Sequence, residues 1–109
     1  MKVATKVLFW VFQRSVHDFV EVVKERLKCK SLGELVKFCR GLPKFARVGV
    51  VFGRVFAVAI NQGANPPLGH SCAWHIDDIE VHGIRVSFWL TSFSKEAWEE
   101  LPEERRFEI

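Results

Sequence analysis

The chain of 109 residues contains no tyrosine, one methionine and three cysteines, against ten phenylalanines and four tryptophans. Asparagine, glutamine and threonine occur only twice each. Scarcity of the thermolabile amides is a composition seen in thermophiles. An odd, small cysteine count does not suit a secreted disulfide framework, so a reducing, cytoplasmic setting is expected. No apolar run approaches the roughly 18 residues of a membrane span, so a membrane partner is not expected. Residues 7–12, Val-Leu-Phe-Trp-Val-Phe, are too few for a secretory h-region and lack a small-residue cleavage site after them. They read instead as part of a strand. Repeats and low-complexity segments are also lacking.

What is present is ordinary globular composition, 49% hydrophobic and 27% charged, enough to bury one core and not two. A single domain over 1–109 follows. Its charge is uneven. Residues 1–54 carry a balance of +8 and residues 55–109 one of −5. Such asymmetry fits two halves that neutralise each other on folding, or a basic nucleic-acid face with an acidic tail.

The stretch of residues 46–92 organises the rest. Apolar runs on either side of Gly53-Arg54 and of His82-Gly83 read as two β-hairpins. Centred there, the first turn pairs Phe52 with Val55, Val51 with Phe56 and Val50 with Ala57. The second pairs Val81 with Ile84 and sets Glu80 against Arg85, opposite charges across a ladder. Upstream, Val16, Phe19, Val20, Val23 and Leu27 form a helical stripe behind Ser15 as N-cap, with Val22 outside it. Ser31 and Glu34 form a capping box for a second helix with the stripe Leu32, Leu35, Val36 and Cys39, stopped by Gly41 and Pro43. These helices are expected at 16–29 and 32–40. Ser94 caps a third, short helix with Ala97, Trp98 and Leu101 on its apolar side and Pro102 as stop. The last residues, 103–109, are charged and expected to fray, unless Phe107 and Ile109 dock.

The expected fold is therefore α+β, in the order β-α-α-β-β-β-β-α. A mainly antiparallel five-stranded sheet (2–13, 46–52, 55–61, 74–82 and 84–92) carries two helices on one face. A helix-turn-helix is disfavoured, since Glu34, Lys37 and Arg40 make a poor base-reading set.

Residues 61–75 form an irregular loop, where function concentrates. Asn61, Asn65 and His70 are its ligand-binding candidates. His70, Cys72, His75 and Asp77 combine imidazole, thiolate and carboxylate, which Zn²⁺ accepts. The spacing matches no established zinc pattern, so zinc stands as the alternative and no cofactor as the expectation. Cys72, His75 and Asp77 equally offer nucleophile, base and orienting acid, with loop amides as an oxyanion hole. His82 is set aside because its turn points away from the loop. Cys29 and Cys39 fall on helix stripes as core residues. If their helices form a hairpin, Cys39 lies roughly 12 Å along the second one from the turn, too far for a disulfide to Cys29. Trp10, Trp74, Trp89 and Trp98 supply aromatic surface, and Trp89 between Phe88 and Leu90 must turn away from one of them. The strands are apolar on both faces and two and a half helices cannot cover them. The functional expectation is thus a small interaction module and not an enzyme. It pairs with itself as a homodimer or with another protein, and its basic half is open to nucleic acid.

Overall fold

A computed structural model describes residues 3–67 and 73–107, with side chains from Phe12 onward. The order is α1 (Val3–Lys28), α2 (Leu32–Cys39), β1 (Lys44–Val51), β2 (Arg54–Gln62), β3 (Trp74–Val81), β4 (Ile84–Phe93) and α3 (Lys95–Glu99), ending in a 3-10 turn, Glu103–Arg105. The fold is α+β. The described residues form one antiparallel sheet of four strands, in the spatial order β1-β2-β4-β3, and not the five expected.

The missing strand is the first. Residues 3–13 belong to α1, a helix of 26 residues that runs through Ser15. A short apolar run does not distinguish a buried strand from a helix by periodicity. What decides is continuity: no Gly or Pro separates Val3 from Leu27, and Ser15 lies inside the helix instead of capping it. Within one helix Phe12 stands four positions before Val16 and prolongs the stripe. Val16, Val20, Val23 and Leu27 are buried, with Phe12 and Phe19 packed beside them, while Val22 is exposed.

Ser31 caps α2 as expected. Its hydroxyl accepts from the Glu34 amide, and the Glu34 carboxylate accepts from the Ser31 hydroxyl and then from the Ser31 backbone, which together hold it below its usual range. The predicted stripe holds only at Leu35 and Cys39; Leu32 and Val36 are exposed.

The second hairpin has the expected register, with Val81 opposite Ile84 and Glu80 opposite Arg85. In the first the turn moves back by one residue and each partner by two: Val51 pairs with Arg54, not Phe56, and Val50 with Val55, not Ala57. Its central residues are Phe52 and Gly53, both at positive φ (50° and 74°). That is the primed geometry that matches strand twist, as at His82 and Gly83 (51° and 78°). A bulge between Arg47 and Gly49 then restores alternation, with Arg47 opposite Ala57.

The register sorts the sheet into two faces. Val58, Ile60, Ile79, Val81, Val86 and Phe88 lie under α1 and α2. Each such buried side chain contributes about 1.5–3 kcal/mol. Phe12 lies edge-on to Phe56, ring centroids 5.5 Å apart, and closes on Gly49. The other face carries Phe45, Val55, Ala57, Ala59 and Phe93, covered in part by Trp98 and Leu101 from α3 and the turn after it. Ser94 caps α3 as read, but Ala97 is exposed.

The carboxy-terminal segment docks instead of fraying. The Phe107 amide donates to the Phe45 carbonyl (3.0 Å), and the Phe107 ring meets Phe38 edge-on at 5.6 Å. Ile109 lies outside the described residues. No helix among the described residues is long and apolar enough to cross a membrane.

Candidate functional site

β3 is an edge strand with a bulge between His75 and Asp77: His75 is opposite Trp89 and Asp77 opposite Phe88. Side chains two apart on a regular strand share a face. Here the extra residue, Ile76, puts His75 and Asp77 on opposite faces. Asp77 turns under α1, where Lys24 Nζ donates to its Oδ2. That hydrogen bond holds the Asp77 carboxyl below its usual range and raises the Lys24 ammonium above its own.

His75 takes the opposite face. Its ring lies 4.9 Å from that of Trp89, and its Nε2 is 2.9 Å from Asp78 Oδ1. Arg85 donates to the other Asp78 oxygen at 3.1 Å. Desolvation pushes the Asp78 carboxyl up, but the bonds from His75 and Arg85 together outweigh it and hold it low. The Trp89 indole donates to Ser87 Oγ (2.9 Å), and that hydroxyl donates to the Asn61 carbonyl (3.4 Å). Arg85, Asp78, His75, Trp89, Ser87 and Asn61 thus form one connected row on the face away from α1.

Two of the loop candidates meet. Asn61 Nδ2 donates to the Asn65 carbonyl at 2.8 Å, which braces the loop against β2. His70 and Cys72 lie outside the described residues. Of the catalytic set Cys72, His75 and Asp77 and the zinc set His70, Cys72, His75 and Asp77, the two described members face opposite ways. No group of three or more His, Cys, Asp or Glu among the described residues is placed to hold a metal ion. The partners of His75 are the Asp78 carboxylate and the Trp89 indole. Ser87, the hydroxyl nearby, is fully buried and committed. The row is suited to holding β3 and β4 together and to presenting charge.

Sequence reading passed over Asp78 and Arg85 as site residues. The pairing of Arg85 with β3 was legible in the turn; its carboxylate is Asp78, two residues along the strand from the Glu80 directly opposite.

The remaining cysteines are apart in character. Cys39 is buried, and burial pushes its thiol up; Cys29 is exposed, not a core residue. His82 is not idle: its Nε2 lies 2.9 Å from the Lys30 carbonyl, tying the second turn to the α1–α2 junction.

A groove of about 210 Å³ opens between α1 and the sheet, walled by Phe12, Val16, Trp74 and Leu90 and rimmed by Gln13 and His17. Trp74 is 57% exposed beside it. The hairpin tip is more exposed still: Phe52 at 89% and Val50 at 51%. By register, the Phe52 tip, the Phe93 end of β4 and the Trp74 start of β3 lie at one end of the sheet.

No family model, curated protein or solved structure matches the chain.

Proposed function

We propose that this protein is a small interaction module that pairs with a second copy of itself through the amino-terminal half of α1. The observation that carries the reading is six consecutive apolar residues, 7–12, inside an α-helix. At about 100° per residue these positions run more than once around the axis. One sheet face covers one side of a helix, so apolar positions all round call for a second surface. Phe12 marks the side facing the sheet; the position of Trp10 lies about 200° from it around the axis. Exposed Val50, Phe52 and Trp74 extend the apolar surface at the same end.

Part of the basic charge is neutralised within the chain, which favours a protein partner over nucleic acid. Lys24 is held by Asp77 and Glu21, and Lys28 by Glu25, so these charges are not massed on an open face. The experiment is sedimentation equilibrium of the purified chain and of Trp10→Glu. The expected result is a dimer at tens of micromolar that the substitution converts to a folded monomer. A parent chain that stays monomeric at high micromolar concentration overturns the reading.

A further inference from the structure

Lys30 and Lys44 are held against the same aromatic ring, and both residues are half-buried. Lys30 Nζ stands 5.9 Å and Lys44 Nζ 4.8 Å from the centroid of Phe38. They are therefore not much farther apart than the roughly 8–10 Å over which charges act in salt. An ammonium carries three donors and no acceptor. Among the described residues no oxygen accepts from either lysine and no carboxylate pairs with them. Glu34 feels Lys30 through space, but its carboxylate is taken by the Ser31 hydroxyl and amide. The ring attracts each cation, yet two like charges beside one ring repel each other.

The surroundings fix this arrangement. Phe38 is braced edge-on by Phe107 at 5.6 Å, and the Phe107 amide is tied to the Phe45 carbonyl. The Lys30 carbonyl lies 2.9 Å from His82 Nε2. Gly41 makes room for Lys44, since a Cβ there would stand 2.9 Å from Lys44 Cε. The backbone does not ask for glycine at that position, because its φ is not positive. Arg105 adds a third positive charge beside them, its Nη1 donating to the Gly41 and Pro43 carbonyls at 3.5 and 3.3 Å.

We infer that Lys30 and Lys44 form, beside Phe38, a binding site for phosphate. A terminal phosphate carries more than one negative charge at pH 7 and several strong acceptor oxygens, enough to serve both ammonium groups. A carboxylate carries one charge. Lysine binds phosphate as a point charge and needs no planar fork. A free phosphoryl compound offers this chemistry on one group, a nucleic-acid backbone on neighbouring groups. The site lies at the start of β1, the end away from the Phe52 tip, and is independent of the self-association proposed above.

The test is calorimetric titration of the full chain at low salt with pyrophosphate and, separately, with a short single-stranded oligothymidylate. The variants are Lys30→Gln, Lys44→Gln, Gly41→Ala and Lys95→Gln. Lys95 opens α3, past the Phe93 end of β4, and supplies an equal loss of charge far from the site. One pyrophosphate per chain is expected. Its affinity should fall at least about tenfold in Lys30→Gln and in Lys44→Gln, the loss of one charge-assisted hydrogen bond, and stay unchanged in Lys95→Gln. Gly41→Ala should weaken binding with no change of charge, because its methyl displaces the Lys44 stem. The same lysine dependence seen with oligothymidylate alone supports the site and assigns the phosphate to a nucleic-acid backbone. Seen with pyrophosphate alone, it supports the site and assigns a free phosphoryl ligand. No saturable binding of either probe overturns the inference. A loss in Lys95→Gln equal to that in Lys44→Gln is diffuse charge and not a site, and overturns it too. Parent-like binding by Gly41→Ala does the same, since the site is built on where Lys44 stands.

Discussion

His75 Nε2 lies 2.9 Å from Asp78 Oδ1, three residues on, while Asp77, two residues on, points through the sheet to Lys24. The bulge at Ile76 causes both facts. It follows that the two aspartates are not interchangeable. Double-mutant cycles on stability are expected to give a coupling of about 0.2–1 kcal/mol between Lys24 and Asp77, the range for partly exposed pairs. Between His75 and Asp77, which share no hydrogen bond and interact only weakly through charge, the coupling is expected to be smaller. A His75–Asp77 coupling as large as the Lys24–Asp77 one would mean that the strand is unbulged in solution.

The same pair sets a pH window. Asp77 is held low and Lys24 raised, each chiefly by its hydrogen bond to the other. The Asp77 contribution is present above the unfolded value near 3.8 and is lost as pH falls through its depressed folded value. The Lys24 contribution is present below the unfolded 10.5 and is lost as pH rises through its raised folded value. Asp77→Asn should therefore lower the melting temperature at pH 7 and converge with the parent in strong acid. Thermal melts across pH 2–7 check this; an offset that persists unchanged at pH 2 would assign the loss to something other than charge.

Gly53 and Gly83 hold φ of 74° and 78°. Replacing either by alanine is expected to cost about 1–2 kcal/mol, read as a lower denaturant midpoint with an unchanged slope. At the second turn, His82→Asn keeps a residue tolerant of the left-handed conformation while giving up the imidazole bond to the Lys30 carbonyl. It should cost less than Gly83→Ala.

Gly49 has Phe12 above it, with the ring 3.1 Å from where a Cβ would stand. Gly49→Val should lift α1 from the β1–β2 hairpin and destabilise by about 1–3 kcal/mol through overpacking. Hydrogen exchange is expected to quicken in α1 near Phe12 before it does in β4. Equal protection in both would show that the ring gives way without moving the helix.

His75 and Asp77 are engaged on opposite faces by Asp78 and Lys24, so a chelator is expected to leave the melting curve unchanged. Metal analysis of the purified chain, with His75→Ala as control, checks this. Stoichiometric zinc lost in that variant would show that the bulged strand rearranges around a metal.

Local chemistry alone determined the elements whose signals lie within a few residues. Ser31 with Glu34, Ser94 before Lys95, the His82-Gly83 turn and the stripe from Val16 to Leu27 were all legible, because a cap, a primed turn or a helical period involves only neighbours. Tertiary structure decided the rest. The apolar run 7–12 suits a strand or a helix equally, and it became helix because it continues α1 over Phe56 and Gly49. The first turn moved by one residue to Phe52-Gly53, since register depends on which side chains meet the core and on the bulge beyond Arg47 that re-phases them. The partner of His75 depended on one extra residue in an edge strand. A bulge leaves no mark in the sequence of its own strand, because it arises from pairing with β4. The candidate site therefore shifted from Asp77 to Asp78 for a reason that only the folded sheet contains.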